Sequence, residues 1–88
     1  MERTTKAQCE SAFNQLARVA GKRLAESYSD VGGWRLGWAP GGYIIEEIVT
    51  VGGGVTHPVT RRRHPAAAFY ECCWFAIDAI YATNGVRA

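Results

Sequence analysis

Apolar residues recur along this chain with three different rhythms. From Cys9 to Leu24 the spacing is helical: Cys9, Ala12, Phe13, Leu16, Val19, Ala20 and Leu24 form one stripe, while Lys6, Glu10, Asn14, Arg18, Lys22 and Glu26 lie away from most of it. Thr5 followed three residues later by Gln8 is the signature of a capping box, and together these features predict a helix over about residues 5–27. Gly21 costs about 1 kcal/mol against alanine inside a helix and weakens the last turns. The loop-forming string SYSDVGG then ends it.

The rhythm next changes to two. Trp34, Leu36 and Trp38 alternate with Arg35 and Gly37, the period of a half-buried strand over 34–38. The string APGG (39–42) follows: proline presets the second position of a type II turn and glycine accepts the positive φ of the third. A hairpin is predicted, with a second strand, rich in β-branched residues, over 43–51. Gly52 to Gly54 form a turn, and a short third strand spans 55–59. Pro58 cannot donate to a ladder and suits an edge.

Pro65 opens a second helix at its first turn, predicted over 65–83 and closed by Asn84-Gly85. The residue before a proline avoids helical angles, so Arg61, Arg62 and Arg63 form an extended leader to that helix. The expected fold is α+β, a single domain over 1–88 in the order α-β-β-β-α, with a three-stranded antiparallel meander packed by two helices. The second helix is apolar around more of its circumference than one small sheet needs. Phe69, Cys73, Ala76, Ile77 and Ile80 line one face, Tyr70, Trp74, Ile77 and Tyr81 an adjoining one, and Phe75 lies farther round. Only Glu71 and Asp78 mark a polar seam. The surplus is covered by the first helix, by a second copy in a homodimer, or by another protein.

Composition narrows the classes. At 48% hydrophobic and 20% charged the chain is globular rather than disordered. A net charge of +2 makes any attraction to polyanions local rather than global. Three cysteines, two of them adjacent, form no disulfide framework and point to reduced thiols in a cytosol. The N-terminal stretch lacks the apolar core of a signal peptide. The segment AAAFYECCWFAIDAIYA is short for a membrane span, and Glu71 and Asp78 each cost roughly 2–3 kcal/mol at a bilayer centre, so no membrane association is expected.

The chemistry-bearing residues argue against an enzyme. Glu46 and Glu47 are neighbours on a strand, point to opposite faces and cannot share one substrate atom. The glycines 52–54 lack a phosphate-loop Gly-Lys-Ser/Thr and lead into a strand. No serine sits in a nucleophile motif with histidine and acid. His57, His64, Cys72 and Cys73 have no metal-ligand spacing, so neither metal nor cofactor is expected; the cysteines read as small core residues and the histidines as surface or loop residues. Trp34, Trp38 and Tyr43 share a sheet face and read as core, an exposed version being a stacking platform for bases. Arg61, Arg62 and Arg63 lie before the positive end of a helix dipole, where cations are disfavoured but an anion is well held. Their anion is either Glu46 or Glu47 of the same chain, or a nucleic-acid backbone or acidic patch on a partner.

Two resemblances add to this. The segment GGYIIEEIVTVGGGVTHPVTRRRHPAAAFYECCWFAIDAI, about half the chain, resembles small proteins of unknown function encoded by actinobacterial phages and related prophages. In these a GGY strand, a Gly-rich turn, a His-Pro pair and an Arg-led aromatic helix follow in this order. That likeness implies a phage-type protein in the cytoplasm of a bacterial host and implies no chemistry. The α-β-β-β-α order also resembles the double-stranded RNA-binding domain, with Thr60, Arg61 and Arg62 where that family has Ser-Lys-Lys before its second helix. His64 and Pro65 depart from the Ala and Lys expected there, and APGG lacks the family's histidine.

The function expected is therefore non-enzymatic macromolecular binding by a small accessory protein. The leading form is a protein-interaction module, a homodimer among its arrangements, with Tyr70, Trp74 and Tyr81 as aromatic anchors beside an arginine rim. The alternative is nucleic-acid binding by Arg61, Arg62 and Arg63, with Arg35 and Lys22 assisting.

Overall fold

A computed structural model describes residues 3–84 of the chain. It begins with helix α1, Lys6–Val19, opened by the capping box that the sequence predicts: the Gln8 amide donates to the Thr5 hydroxyl at 3.1 Å and the Thr5 amide to the Gln8 side chain at 2.7 Å. α1 stops eight residues short of the expected end at residue 27. Gly21 is the reason, because it is not inside the helix. It stands just past the C-cap at φ +73, with its amide on the Arg18 carbonyl and the Lys22 amide on the Ala17 carbonyl. This is a Schellman motif, for which glycine is the preferred left-handed residue. Leu24, expected on the helical stripe, is instead exposed and pairs as an isolated parallel bridge with Trp34.

The sheet is β1 (Trp34–Ala39), β2 (Gly42–Ile48) and β3 (Val55–Thr56), antiparallel in the order β1-β2-β3. Pro40 and Gly41 make the first turn, with Gly41 at φ +106. β2 ends at Ile48 rather than residue 51. From there the chain closes a turn in which the Val49 amide donates to the Gly54 carbonyl and the Thr50 hydroxyl accepts from the Gly54 amide. β3 ends at Thr56 rather than residue 59, since Pro58 ends the ladder. The chain leaves the sheet edge over residues 57–63 and returns at His64, whose amide and carbonyl both bond Tyr43, at 2.9 and 2.8 Å. Helix α2, Ala66–Asn84, follows Pro65; Gly85, expected to close it, lies outside the described residues.

The architecture is thus the expected α+β domain with the element order α-β-β-β-α. Both helices pack on each other and on one face of the sheet. Cys9, Ala12, Phe13, Leu16 and Ala17 of α1 meet Phe69, Cys73 and Ile77 of α2 over Trp34, Tyr43 and Ile45. The opposite face carries Arg35, Gly37, Ile44, Glu46 and Ile48, and it is not open to water. Ile44, Glu46 and Ile48 are all buried, and the segment after α1 is bonded back to the sheet through Gly32 and Gly33 at Ile48. No helix among the described residues is long and apolar enough to cross a membrane.

Candidate interaction site

The helix α2 divides its surface into two flanks. On one flank Tyr70 and Tyr81 are half-buried against the core, and Trp74 meets Tyr70 edge-on with ring centroids 6.3 Å apart. Trp74 itself is 38% exposed, so of the three anchors named from sequence it presents the most open surface. The other flank is barer. There Cys72, Phe75, Ala76, Ala79 and Ile80 form one wall of a groove of about 560 Å³, with Leu16 and Trp34 as its floor and Pro58, Val59 and Thr60 as the opposite wall. Ala79 and Ile80 extend it to a second concavity beside Val19, Ala20 and Thr83. Phe75 is 76% exposed, a whole aromatic ring in water. Helical geometry makes this flank apolar, since 72, 75, 76 and 79 succeed one another at three- and four-residue steps.

The wall at 58–60 exists because of a mismatch in length. Thr56 pairs with Glu47 and His64 with Tyr43, so residues 57–63 span what 44–46 span on β2. The surplus must leave the sheet plane, and Val59 turns inward to pack on the core. Arg61 and Arg62, next in the chain, are exposed, and Thr60 caps the bend by donating its hydroxyl hydrogen to the Arg62 carbonyl at 3.0 Å.

The arginine run finds no carboxylate partner among the described residues. Among the described residues no acid lies within 4.0 Å of Arg61, Arg62 or Arg63, and Arg63 points its guanidinium at the Gly42 carbonyl, 3.4 Å away. The two glutamates have other partners. Glu47 accepts from the Trp34 indole at 2.9 Å. Glu46 lies across Gly37 and accepts from Arg35 at 2.8 Å, with the His57 imidazole 4.0 Å away. Strand register decides this, because Arg35 stands directly opposite Glu46 on the neighbouring strand. The Arg35 guanidinium also lies 4.4 Å from the centre of the Tyr28 ring.

The residues grouped as a basic site are therefore not brought together. Arg35 is spent on Glu46 and separated from Arg63 by the length of β2 from Gly42 to Glu46, about 13 Å at strand spacing. Lys22 is exposed beyond the end of α1. Trp34 is buried as expected, but Trp38 on the same face is 65% exposed beside Lys6, so only part of that aromatic cluster is core. Cys9 and Cys73 are core, and burial pushes the Cys73 thiol up to about 12; Cys72 is half-buried in the groove wall, its thiol also raised by burial. The element that sequence reasoning underrated is Phe75. Its signal was the one aromatic on α2 lying outside both named faces. No protein-family model, curated protein or solved structure matches the chain.

Proposed function

We propose that this protein is a small non-enzymatic accessory factor of phage type, working in the cytoplasm of a bacterial host by binding another protein chain through the groove flank of α2. The observation that carries this reading is the exposure of Phe75 on an apolar groove built from four separate parts of the chain. A small domain gains nothing in stability from an aromatic ring left in water, whereas such a ring beside a preformed apolar hollow has the composition of a binding hot spot. Tyr70, Trp74 and Tyr81 supply a second, shallower aromatic surface on the opposite flank.

The test is a photo-crosslinking amino acid placed at position 75, with a control at exposed Ser11 of α1, in cells making the protein. A discrete protein adduct at 75 and none at 11 is expected. Absence of any adduct at 75 would remove the reading.

Nucleic-acid binding is the second reading, favoured by one observation: Arg61 and Arg62 are exposed with no acid of the described residues near them. Such binding would weaken steeply with salt and would be flattened in that dependence by Arg61→Glu and Arg62→Glu. Anisotropy titration against labelled duplex RNA and DNA at low and moderate salt decides it, and no binding at low salt rejects it.

A further inference from the structure

The sheet has two edges, and only one of them is blunted. At the β3 edge Pro58 ends the ladder and the chain bulges away over residues 57–63. At the β1 edge the backbone is left unpaired. β2 alternates the direction of its hydrogen bonds: Tyr43 bonds His64 on the far side, while the Ile48 amide donates to the Gly33 carbonyl on the β1 side. Ile44 and Glu46 therefore face β1, and their partners Gly37 and Arg35 face β2. Trp34, Leu36 and Trp38 turn their N–H and C=O groups the other way. Trp34 finds partners there, donating to the Arg23 carbonyl at 3.0 Å and accepting from the Ala25 amide at 2.8 Å. Beyond Ala25 the chain leaves the edge, and nothing among the described residues bonds the backbone of Leu36 or Trp38. The stretch 36–39 carries neither charge nor proline, the devices that keep a sheet edge from pairing.

We infer that an extended peptide of a partner protein adds to the sheet here as a fourth strand, pairing with Leu36 and Trp38. The free groups call for donors and acceptors that alternate at strand spacing, which an extended backbone supplies and a helix does not. Side chains beside the edge define the peptide further. The residue opposite Leu36 points to the helix face, into a hollow of about 450 Å³ between the edge and α1. Phe13, Leu24 and Leu36 line that hollow together with exposed Glu10 and Asn14. Glu10 has no cation within 4.0 Å among the described residues. A lysine or arginine at this peptide position lays its stem on the apolar wall and brings its head to Glu10. Two residues along, the side chain opposite Trp38 lies against a ring that is 65% exposed, and it is apolar. This edge is a second surface: neither Leu36 nor Trp38 lines the groove of α2.

Selection of a yeast-displayed random heptapeptide library on the full chain tests this. The enriched peptides should carry Lys or Arg two residues from an apolar residue. When a synthetic copy of the commonest is titrated and followed by amide NMR, the Leu36 and Trp38 N–H signals should shift and their hydrogen exchange should slow. N-methylation of one alternate set of the peptide's amides should abolish binding, and N-methylation of the other set should leave it. Trp38→Pro removes an N–H that bonds nothing in the chain and should lose the peptide while keeping the wild-type circular dichroism. Glu10→Lys, at an exposed helix position, should weaken binding about tenfold without touching the edge. A library with no shared pattern overturns the inference, as does a peptide that tolerates methylation of either set or shifts only the signals of the α2 groove. A chain whose sedimenting mass rises from 9.6 kDa toward twice that value, but not in Trp38→Pro, gives the edge to a second copy and overturns it as well.

Discussion

Gly42 is the residue on which the placement of the arginine segment turns, and replacing it by alanine tests that directly. A β-carbon there would lie 2.0 Å from the His64 carbonyl oxygen and 2.4 Å from its carbon, on a backbone at φ +118. The positive φ alone costs an L-residue about 1–2 kcal/mol. The contact cannot be relieved by a side-chain rotation, because the obstructing atoms are backbone. His64 must move, and with it go the two hydrogen bonds to Tyr43, worth about 0.5–1.5 kcal/mol each. The sum is about 2–5 kcal/mol, a large share of what an 88-residue domain possesses. Gly41→Ala is the control: its φ is +106 but its nearest neighbour is the flexible Arg63 Cδ at 3.9 Å, so it should lose only the conformational part. Urea unfolding followed by tryptophan fluorescence, with a slope of roughly 1 kcal/mol per M, should move the midpoint down by about 2 M or more for Gly42→Ala and by clearly less for Gly41→Ala. Equal losses for the two variants would refute the claim that the His64 backbone is packed against Gly42.

Other consequences follow from the buried polar and thiol groups. Glu46 is the more buried partner of its ion pair, with side-chain exposures of 11% for Glu46 and 33% for Arg35. Arg35→Ala strands a buried carboxylate and should cost about 2–4 kcal/mol, whereas Glu46→Gln keeps an acceptor for Arg35 and should cost about 1 kcal/mol; the reverse order in chemical denaturation would refute this assignment. Burial holds the Cys73 thiol neutral up to about 12, against an ordinary 9.0 in the unfolded chain. The folded value is raised, so the stabilisation is complete below pH 9 and is lost as pH climbs toward 12, at about 1.4 kcal/mol per pH unit; Cys73→Ala should lessen that alkaline slope in pH-dependent melting. Asp30 is held below its ordinary 3.8 by the hydrogen bond from Arg23, then by the Glu26 amide. Its folded value is lowered, so its contribution is present above that pH and fades as acid protonates it, and a carboxyl carbon NMR titration should find its midpoint below 3.8.

How far the fold was legible depended on whether each signal was local. The capping box of Thr5 and Gln8, the alternation of Trp34, Leu36 and Trp38, and the Pro-Gly turn each act over a few residues, and each appears where the sequence places it. Gly21 was local too, but ambiguous. The same glycine is a weak point inside a helix or the preferred residue just past its end, and the apolar residue at 24 favoured the wrong choice. What separates them is Trp34, ten residues on, which takes Leu24 into a bridge. The partner of Arg35 was likewise invisible in spacing. Strand register fixes it, and register follows from the turn at Pro40-Gly41.

For the arginine run the sequence left two kinds of anion open, one in the same chain and one on a partner, and strand lengths decide against the first. Even a strand continuing through 55–59 in the register of Thr56 on Glu47 would set Arg61 opposite Gly42, about 13 Å from Glu46. The pairing is anchored at both ends instead, by Thr56 on Glu47 and His64 on Tyr43, and seven residues lie where the sheet has room for three. Proline at 58 forces the exit, Val59 anchors the loop to the core, and Gly42 leaves space for the return. The surplus adds no rungs to the ladder, so Arg61 and Arg62 stand in solvent while Arg63 turns back to the Gly42 carbonyl. A segment held at both ends by paired backbone and in the middle by a packed valine is not a loose loop. A ligand that used Arg61 and Arg62 would meet a segment already ordered, which lowers the entropy that binding must overcome.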